Sequence, residues 1–456
     1  DWTYSAGGES AFLAFDPDDP RYVLGGSYLG TIEVLDQVSK QSTSIMAAPI
    51  QYLGRAASEM KYRFNWNAPI IRSQHEPNTF YHGAQVLLRT RDMGRTWEEA
   101  SPDLTKNEKD KQIKGGGPYT VEAVGAENYG TIAYVIESPH EKGVIWVGTD
   151  DGLVQLTKDN GASWTNVTPK GLESCLVNAV EVSPHDPATA YIATTRYKFN
   201  DKTPAIYKTT NYGKSWTNIS LGIPYGAFTR VVREDEKRAN LLYAGTETGV
   251  YISWNGGKNW QAFQLNLPNA PVTDMLQKHD DLIVATAGRG FWILDDIALL
   301  RQFDDQQKSA ILYQPEDAVY GSWGSALNGS SSSFKGYMDF AGVNPANGVT
   351  LYYQLPKLAD SVVVGLQIKD EDGKLIRSVS SKGDAEFISY AGGPSRAATL
   401  SKSQGLNRFV WDTRYPTMVG APKAYIEASY RGHKVAPGKY TATLLVAGSA
   451  FSTEFQ

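Results

Sequence analysis

The sequence predicts an all-β chain: a β-propeller of about six blades over residues 1–303, then a β-sandwich over residues 337–456. Three observations predict it. An eight-residue element is written four times, as TRDMGRTW (Thr90 to Trp97), TKDNGASW (Thr157 to Trp164), TTNYGKSW (Thr209 to Trp216) and SWNGGKNW (Ser253 to Trp260). A wider unit surrounds it and recurs six times, at the roughly 40-to-60-residue interval of propeller blades. Helical periodicity is nearly absent, while β-branched and aromatic runs alternate with glycine-rich turns.

The wider unit shows in AFDPDDPRYVLGGS (from Ala14), RSQHEPNTFYHGA (from Arg72), ESPHEKGVIWVGTDDG (from Glu137) and VSPHDPATAYIATT (from Val182). REDEKRANLLYAGTETG (from Arg233) and QKHDDLIVATAGRG (from Gln277) complete the set. Each unit reads as four strands. In the fourth, VNAVEV (Val177 to Val182) leads through an acidic, Pro-containing turn to TAYIATT (Thr189 to Thr195). AIYKTT (Ala205 to Thr210) follows, and the eight-residue element turns the chain into SWTNIS.

The totals agree with this organisation. A chain of 456 residues is too long for one ordinary core, and 41% hydrophobic residues with 26 Tyr, 15 Phe and 11 Trp fill more than one. A net charge of −5 without long single-sign blocks excludes the basic footprint of a nucleic-acid binder. No apolar run reaches the roughly 18 residues of a membrane-spanning helix. A single cysteine, Cys175, excludes an internal disulfide and a thiolate metal cluster. His75, His140 and His185 occupy the same repeat position, so they do not converge on one metal. The acidic turns, such as DPDDP (Asp16 to Pro20), have the oxygen ligands calcium takes but read as solvated turns, and no cofactor is expected.

The eight-residue element resembles the Asp-box, S/T-x-D-x-G-x-T/S-W, of bacterial neuraminidase (BNR) repeats, and its physics is local. Asp92 and Asp159, or Asn211 and Asn255, cap backbone amides of the turn. Gly94, Gly161, Gly213 and Gly257 take a conformation that a Cβ hinders, and Trp97, Trp164, Trp216 and Trp260 pack between sheets. A catalytic carboxylate does not exchange freely for an amide. These copies carry shape.

Together with YRFNWNAPI (Tyr62 to Ile70), GAENYGTI (Gly125 to Ile132), WVGTDDGLV (Trp146 to Val154) and GRGFWILDDI (Gly288 to Ile297), the repeats resemble a particular group. It is the large secreted bacterial sortilin-type repeat proteins, often labelled glycosyl hydrolases. The resemblance covers residues 1 to about 300 and implies a secreted, periplasmic or cell-surface setting. Such proteins carry further blades upstream, so the resemblance implies a C-terminal half whose ring is completed by an N-terminal segment or by another chain.

The tail differs in composition. Residues 304–336 read as a linker with a Ser/Gly-rich excursion, GSALNGSSSSFKG. The runs VTLYYQL, SVVVGLQIKD, LIRSVSS, NRFVWDTRY and GKYTATLLVAG then read as a sandwich that resembles immunoglobulin- or fibronectin-like modules. Trp411 is its expected core anchor and Pro437-Gly438 its hairpin turn.

Propeller topology sorts the loops. Loops between first and second strands share a face with the eight-residue turns. Loops between second and third strands share the opposite face, the mouth, with the connections between blades, and binding residues gather on such scaffolded loops. The mouth set is Arg63, Asn65, Trp66, Asn67, Glu127, Asn128, Tyr129, Asp150, Asp151, Arg196, Glu247 and Arg289. Each also has a structural reading. FNWN (Phe64 to Asn67) reads as a blade joint, Asp150-Asp151-Gly152 and Glu247 as turn signatures, and Arg196, Arg230 and Arg289 as salt-bridge partners of those acids.

Two functions follow. The first is a ligand-binding propeller that takes an extended peptide or a glycan at the mouth. The second is a glycoside hydrolase, which needs two carboxylates about 5 to 9.5 Å apart, Asp151 with Glu127 or Glu247. A sialidase also needs three converging arginines and a Tyr/Glu nucleophile pair. The spacing of Arg63, Arg196 and Arg289 does not fit that pattern, although Tyr129 lies near Glu127. The acids already explained as turn formers favour binding.

Overall fold

A strand that is apolar on both faces must be covered on both, and the second strand of most repeat units has that composition. Phe80–Gly83, Ile145–Thr149 and Leu242–Thr246 are buried along their whole length. In the computed structural model, which describes residues 4–9, 12–114, 128–304, 307–319, 321, 346–421 and 429–456, these strands lie inside consecutive antiparallel sheets.

The first sheet holds Leu13–Phe15, Tyr22–Gly26, Ile32–Asp36 and Gln41–Ser44. The second holds Ile70–Arg72, Phe80–Gly83, Leu87–Thr90 and Glu98–Glu99. The third holds Ile132–Glu137, Ile145–Thr149, Val154–Thr157 and Thr165–Asn166. The fourth holds Leu176–Val182, Ala190–Arg196, Asp201–Thr209 and Thr217–Asn218. The fifth holds Thr229–Glu234, Leu242–Thr246, Gly249–Ser253 and Gln261–Ala262. The sixth has three described strands, Val272–Lys278, Asp281–Thr286 and Gly290–Leu294. Every sheet is a meander, and the first strands of successive sheets neighbour one another in chain order. This is a β-propeller.

Three devices join each sheet to the next. The first is a notch in the second strand. A Cβ on Gly83 would come within 2.8 Å of Ile132, one on Gly148 within 2.5 Å of Val177, and one on Gly245 within 2.5 Å of Val272. The β-branched residue that enters each notch opens the following sheet, so only glycine lets the two sheets approach this closely. The second device is the indole of the eight-residue turn. Trp97 Nε1 donates to Ile45 O at 2.7 Å, Trp164 to Ala100 O at 3.1 Å, Trp216 to Val167 O at 2.7 Å and Trp260 to Ile219 O at 2.6 Å. Each bond reaches back to the preceding sheet. The third device reaches forward. His75 Nε2 donates to Ser138 O at 2.8 Å, His140 to Ser183 O at 2.9 Å and His185 to Asp235 O at 2.7 Å. The repeated histidines are therefore connectors between sheets.

Along the inner strands the sheets also share charge. Arg233, on the fifth sheet, donates to Tyr134 Oη of the third at 3.0 Å and pairs with Glu181 of the fourth at 3.3 Å and Asp274 of the sixth at 2.8 Å. One guanidinium thus ties four sheets together.

The chain divides into units Asp1–Ile293 and Leu294–Gln456, a boundary ahead of the expected one at residue 303. In the second unit a short helix, Ala298–Gln302, precedes two antiparallel sheets. One holds Ile311–Leu312, Val349–Leu355 and Gly405–Trp411; the other holds Leu375–Ser380, Val364–Asp370, Tyr440–Val446 and Ser449–Phe455. The segment expected as linker thus supplies a strand, because Ile311 and Leu312 pair with Gln354 and Tyr353. Both sheets share one core, in which Trp411 is buried, donates Nε1 to Arg414 O at 3.1 Å, and meets Tyr440 and Phe455 edge-on.

Two outcomes test the connectors. Trp216→Phe keeps the ring but strands the Val167 carbonyl, and is expected to cost about 1–2 kcal/mol in urea unfolding. Wild-type stability in that variant argues against the indole bond. Arg233→Met leaves the carboxylate of Glu181 inside without its counter-charge, and a loss of about 3–5 kcal/mol is expected in the same assay.

Candidate functional site

The eight-residue turns are closed by their own side chains. Asp92 Oδ1 accepts from Thr96 N at 2.9 Å, Asp159 from Ser163 N at 2.8 Å, Asn211 from Ser215 N at 3.0 Å and Asn255 from Asn259 N at 3.2 Å. The first residue of the element works as well. Thr90, Thr157, Thr209 and Ser253 accept from the amides of Gly94, Gly161, Gly213 and Gly257 at 2.8 to 3.0 Å. Those glycines have φ of +83°, +92°, +76° and +85°, a left-handed region that side chains rarely adopt.

The opposite face is built from the connections between sheets. Between the second and third sheets the polar residues interlock. Arg63 is buried and donates to Gly130 O at 3.1 Å and to Asp103 at 2.8 Å. Asn65 Nδ2 donates to Thr131 Oγ1 at 3.0 Å, and its Oδ1 accepts from Asn67 N at 3.1 Å. Asn128 Nδ2 donates to Phe64 O at 3.1 Å, and buried Tyr129 donates its hydroxyl to Glu108 at 2.6 Å. Trp66 stacks on Tyr28 at 5.5 Å beside Leu29, Tyr52 and Met60.

Asp150 belongs to the same joint. It accepts from Gly130 N at 3.1 Å, Thr131 N at 2.8 Å and Thr131 Oγ1 at 2.9 Å. Asp151 next to it is wholly buried and accepts from Lys106 N at 2.7 Å and from the Thr149 hydroxyl. Burial raises both carboxyls. For Asp150, to which the charge of Asp151 adds, the result is about 7 despite the donors that favour its anion.

The remaining predicted residues stand at other joints. Arg196 donates to Ser174 O at 2.9 Å and pairs with Glu173 at 2.5 Å and Asp201 at 3.1 Å. Glu247 pairs with Arg230 at 2.5 Å within the fifth sheet. Arg289 is exposed in the turn of the sixth sheet. Glu127 lies outside the described residues. The structure therefore joins Arg63, Asn65, Asn128 and Asp150 in one network, and binds Arg196 and Glu247 into two others.

In one cluster on this face sequence reasoning named Arg196 but not the aromatic rings around it. In the fourth sheet the second and third strands run longer than their counterparts and are joined by a 3-10 turn, Tyr197–Phe199, at the place where the first sheet has the 3-10 turn Tyr28–Gly30. Tyr197 stacks on Phe228 at 5.2 Å, with Arg230 5.1 Å from the Phe228 ring and Arg196 5.2 Å from the Phe199 ring. Tyr225 stands nearby, since Gly226 N donates to Lys202 O at 3.0 Å. Tyr197, Phe199 and Tyr225 remain 39%, 44% and 69% exposed. The signal available was the aromatic spacing in RYKF.

Among the described residues no group of three or more His, Cys, Asp or Glu could hold a metal ion, and no helix is long and apolar enough to cross a membrane.

No family model and no curated protein matches the chain. Among solved structures it is similar to the GH74 xyloglucanase from Xanthomonas campestris, at 18% identity over 68% of this chain and 49% of that one, with a TM-score of 0.45. The Niastella koreensis GH74 enzyme gives 15%, 68%, 49% and 0.40, and YCF48 bound to D1 peptide gives 13%, 64%, 80% and 0.41. The chain spans about half the length of the GH74 enzymes. At this distance the likeness concerns the propeller fold alone.

The acid pair makes stability depend on pH. Both carboxyls titrate higher folded than in an unfolded chain, where the value is about 4. The contribution of Asp150 is complete below about pH 4 and is lost progressively as pH rises to about 7, and that of Asp151 is lost in the same direction. The melting temperature is expected to fall as pH rises from about 4 to about 7 and to level off above that, and Asp150→Asn to flatten that slope. A slope unchanged in Asp150→Asn would assign it to other groups.

Proposed function

We propose that the first unit is a binding propeller that takes an extended ligand, glycan or peptide, across the face opposite its eight-residue turns. The observation that carries this is how the polar and aromatic groups of that face are used. The candidate acids Asp150, Asp151 and Glu247 already hold backbone amides or an arginine. Exposed there instead are Tyr197, Phe199 and Tyr225, rings that offer a chain-like ligand large contact area at low entropic cost. Arg196 and Arg230, themselves held by Glu173, Asp201 and Glu247, lie over the Phe199 and Phe228 rings and fix them in place. The resemblance in sequence to sortilin-type repeat proteins supports a secreted, periplasmic or cell-surface setting.

Glycoside hydrolysis is the second reading, and one observation favours it. Asp150 and Asp151 are adjacent acids with raised pKa, the property a general acid needs. Their burial means a hydrolase would have to open the joint around Lys106 and Thr149.

The test screens the intact chain against soluble oligosaccharides and peptides by calorimetry, and against polysaccharides for released reducing ends. Binding is expected with no turnover, and Tyr197→Ala with Tyr225→Ala is expected to weaken it about 10-fold or more. Turnover abolished by Asp151→Asn replaces the binding reading with the hydrolytic one.

A further inference from the structure

The four eight-residue turns differ at their fourth position in a way the backbone does not explain. Met93, Asn160, Tyr212 and Gly256 all have left-handed φ, at 62°, 59°, 56° and 71°. Three of these carry side chains, so glycine is not needed there for conformation. The side chains fill the neighbouring space. Met93 packs in an apolar cluster, Asn160 accepts from Arg89 at 2.7 Å, and Tyr212 donates to Glu141 at 2.8 Å. At Gly256 the Asn240 side chain takes that place, accepting from Lys208 at 3.2 Å, and a cleft of about 310 Å³ opens beside it between the fourth and fifth sheets. A Cβ on Gly256 would lie 2.7 Å from Asn240 Oδ1 and 3.4 Å from Lys208 Nζ, so the glycine makes room for the Asn240 side chain at the edge of the cleft.

A second change occurs at the same place. The turns of the second and third sheets use Asp92 and Asp159, whereas the two turns that border the cleft use Asn211 and Asn255. The capping geometry survives and the negative charge does not. Two lysines line the cleft, Lys208 and Lys258, and no carboxylate does. Lys208 Nζ is held 3.2 Å from Asn240 Oδ1. The charge of Lys208 is felt by Asp186, whose carboxylate is occupied by the Thr189 hydroxyl at 2.6 Å and the Ala188 amide at 3.1 Å. The remaining polar wall is hydroxyl and amide: Ser215, Thr217, Asn240 and Asn255.

We propose that this cleft binds an anionic sugar residue, a pyranose that carries a carboxylate or a sulfate. The ammonium groups of Lys208 and Lys258 meet the anion, as charge-assisted donors do. The hydroxyls and amides, which both donate and accept, match the ring hydroxyls. The volume is at the lower end for small-ligand pockets and suits one sugar unit. The site lies on the face of the eight-residue turns, away from the aromatic cluster, and does not rest on the function proposed for that cluster.

Calorimetric titration of the intact chain with glucuronate, glucose 6-sulfate, glucose and sulfate ion tests it. The two anionic sugars are expected to bind, and glucose and sulfate ion each to bind about 10-fold more weakly. Lys208→Gln and Lys258→Gln are each expected to weaken glucuronate binding about 5-fold or more. An unchanged melting temperature in the two lysine variants separates loss of binding from loss of fold. Three results overturn the proposal: no binding of either anionic sugar, sulfate ion binding as tightly as they do, or full affinity in both lysine variants. Binding lost with Tyr197→Ala instead moves the sugar to the mouth and also overturns it.

Discussion

The molecule depends on one constraint: a four-stranded sheet with two apolar faces is stable only when another sheet covers each face. Sheets of this composition must stack, and the stack holds only if neighbours come close without stranding backbone groups. The glycine notches at Gly83, Gly148 and Gly245 provide the approach. The indoles of Trp97, Trp164, Trp216 and Trp260 provide the satisfaction, because each fills apolar space and also donates to a carbonyl of the sheet before it. His75, His140 and His185 do the same toward the sheet after it. A repeat sequence is the economical way to write such a molecule, since every sheet meets the same problem twice.

The same constraint governs the chemistry of the mouth. Where the chain crosses between sheets its backbone is buried without a ladder partner, and each amide and carbonyl needs a side chain. Arg63, Asn65, Asn128 and Asp150 serve Gly130, Thr131, Phe64 and one another. These residues are polar and convergent, which is also how a binding site looks in a sequence. The two cannot be told apart by residue type. Burial separates them, because a group that answers a buried amide has little capacity left for a ligand. The groups left exposed on that face are rings, at Tyr197, Phe199 and Tyr225.

Repetition also makes departures from it readable. The exchange of Asp159 for Asn255 is neutral to the turn, since both oxygens cap the same amide. Gly256 shares the backbone conformation of Asn160 and Tyr212, and its missing side chain makes room for Asn240. The exchange of acid for amide beside Lys208 and Lys258 sets one crevice between two sheets apart from its equivalents around the propeller.

The fold was legible because each blade is a local pattern: alternating apolar strands, an acidic turn, and a capped turn that ends in Trp. Spacing along the chain is enough to reveal all of these, since strand period, turn chemistry and glycine placement act over a few residues. The sequence alone determined the sheets, the meander order and the structural nature of the eight-residue turns. Only the tertiary structure decided what the polar residues face. It turned Asp150 and Asp151 inward, gave His75 and its repeats a carbonyl in the next sheet, and left the RYKF loop exposed. It also placed the edge strand Ile311–Leu312 in a segment that reads as linker, since two residues are too few to show a period. Burial and pairing between distant segments are set by packing, and packing is not written in the spacing of any one stretch.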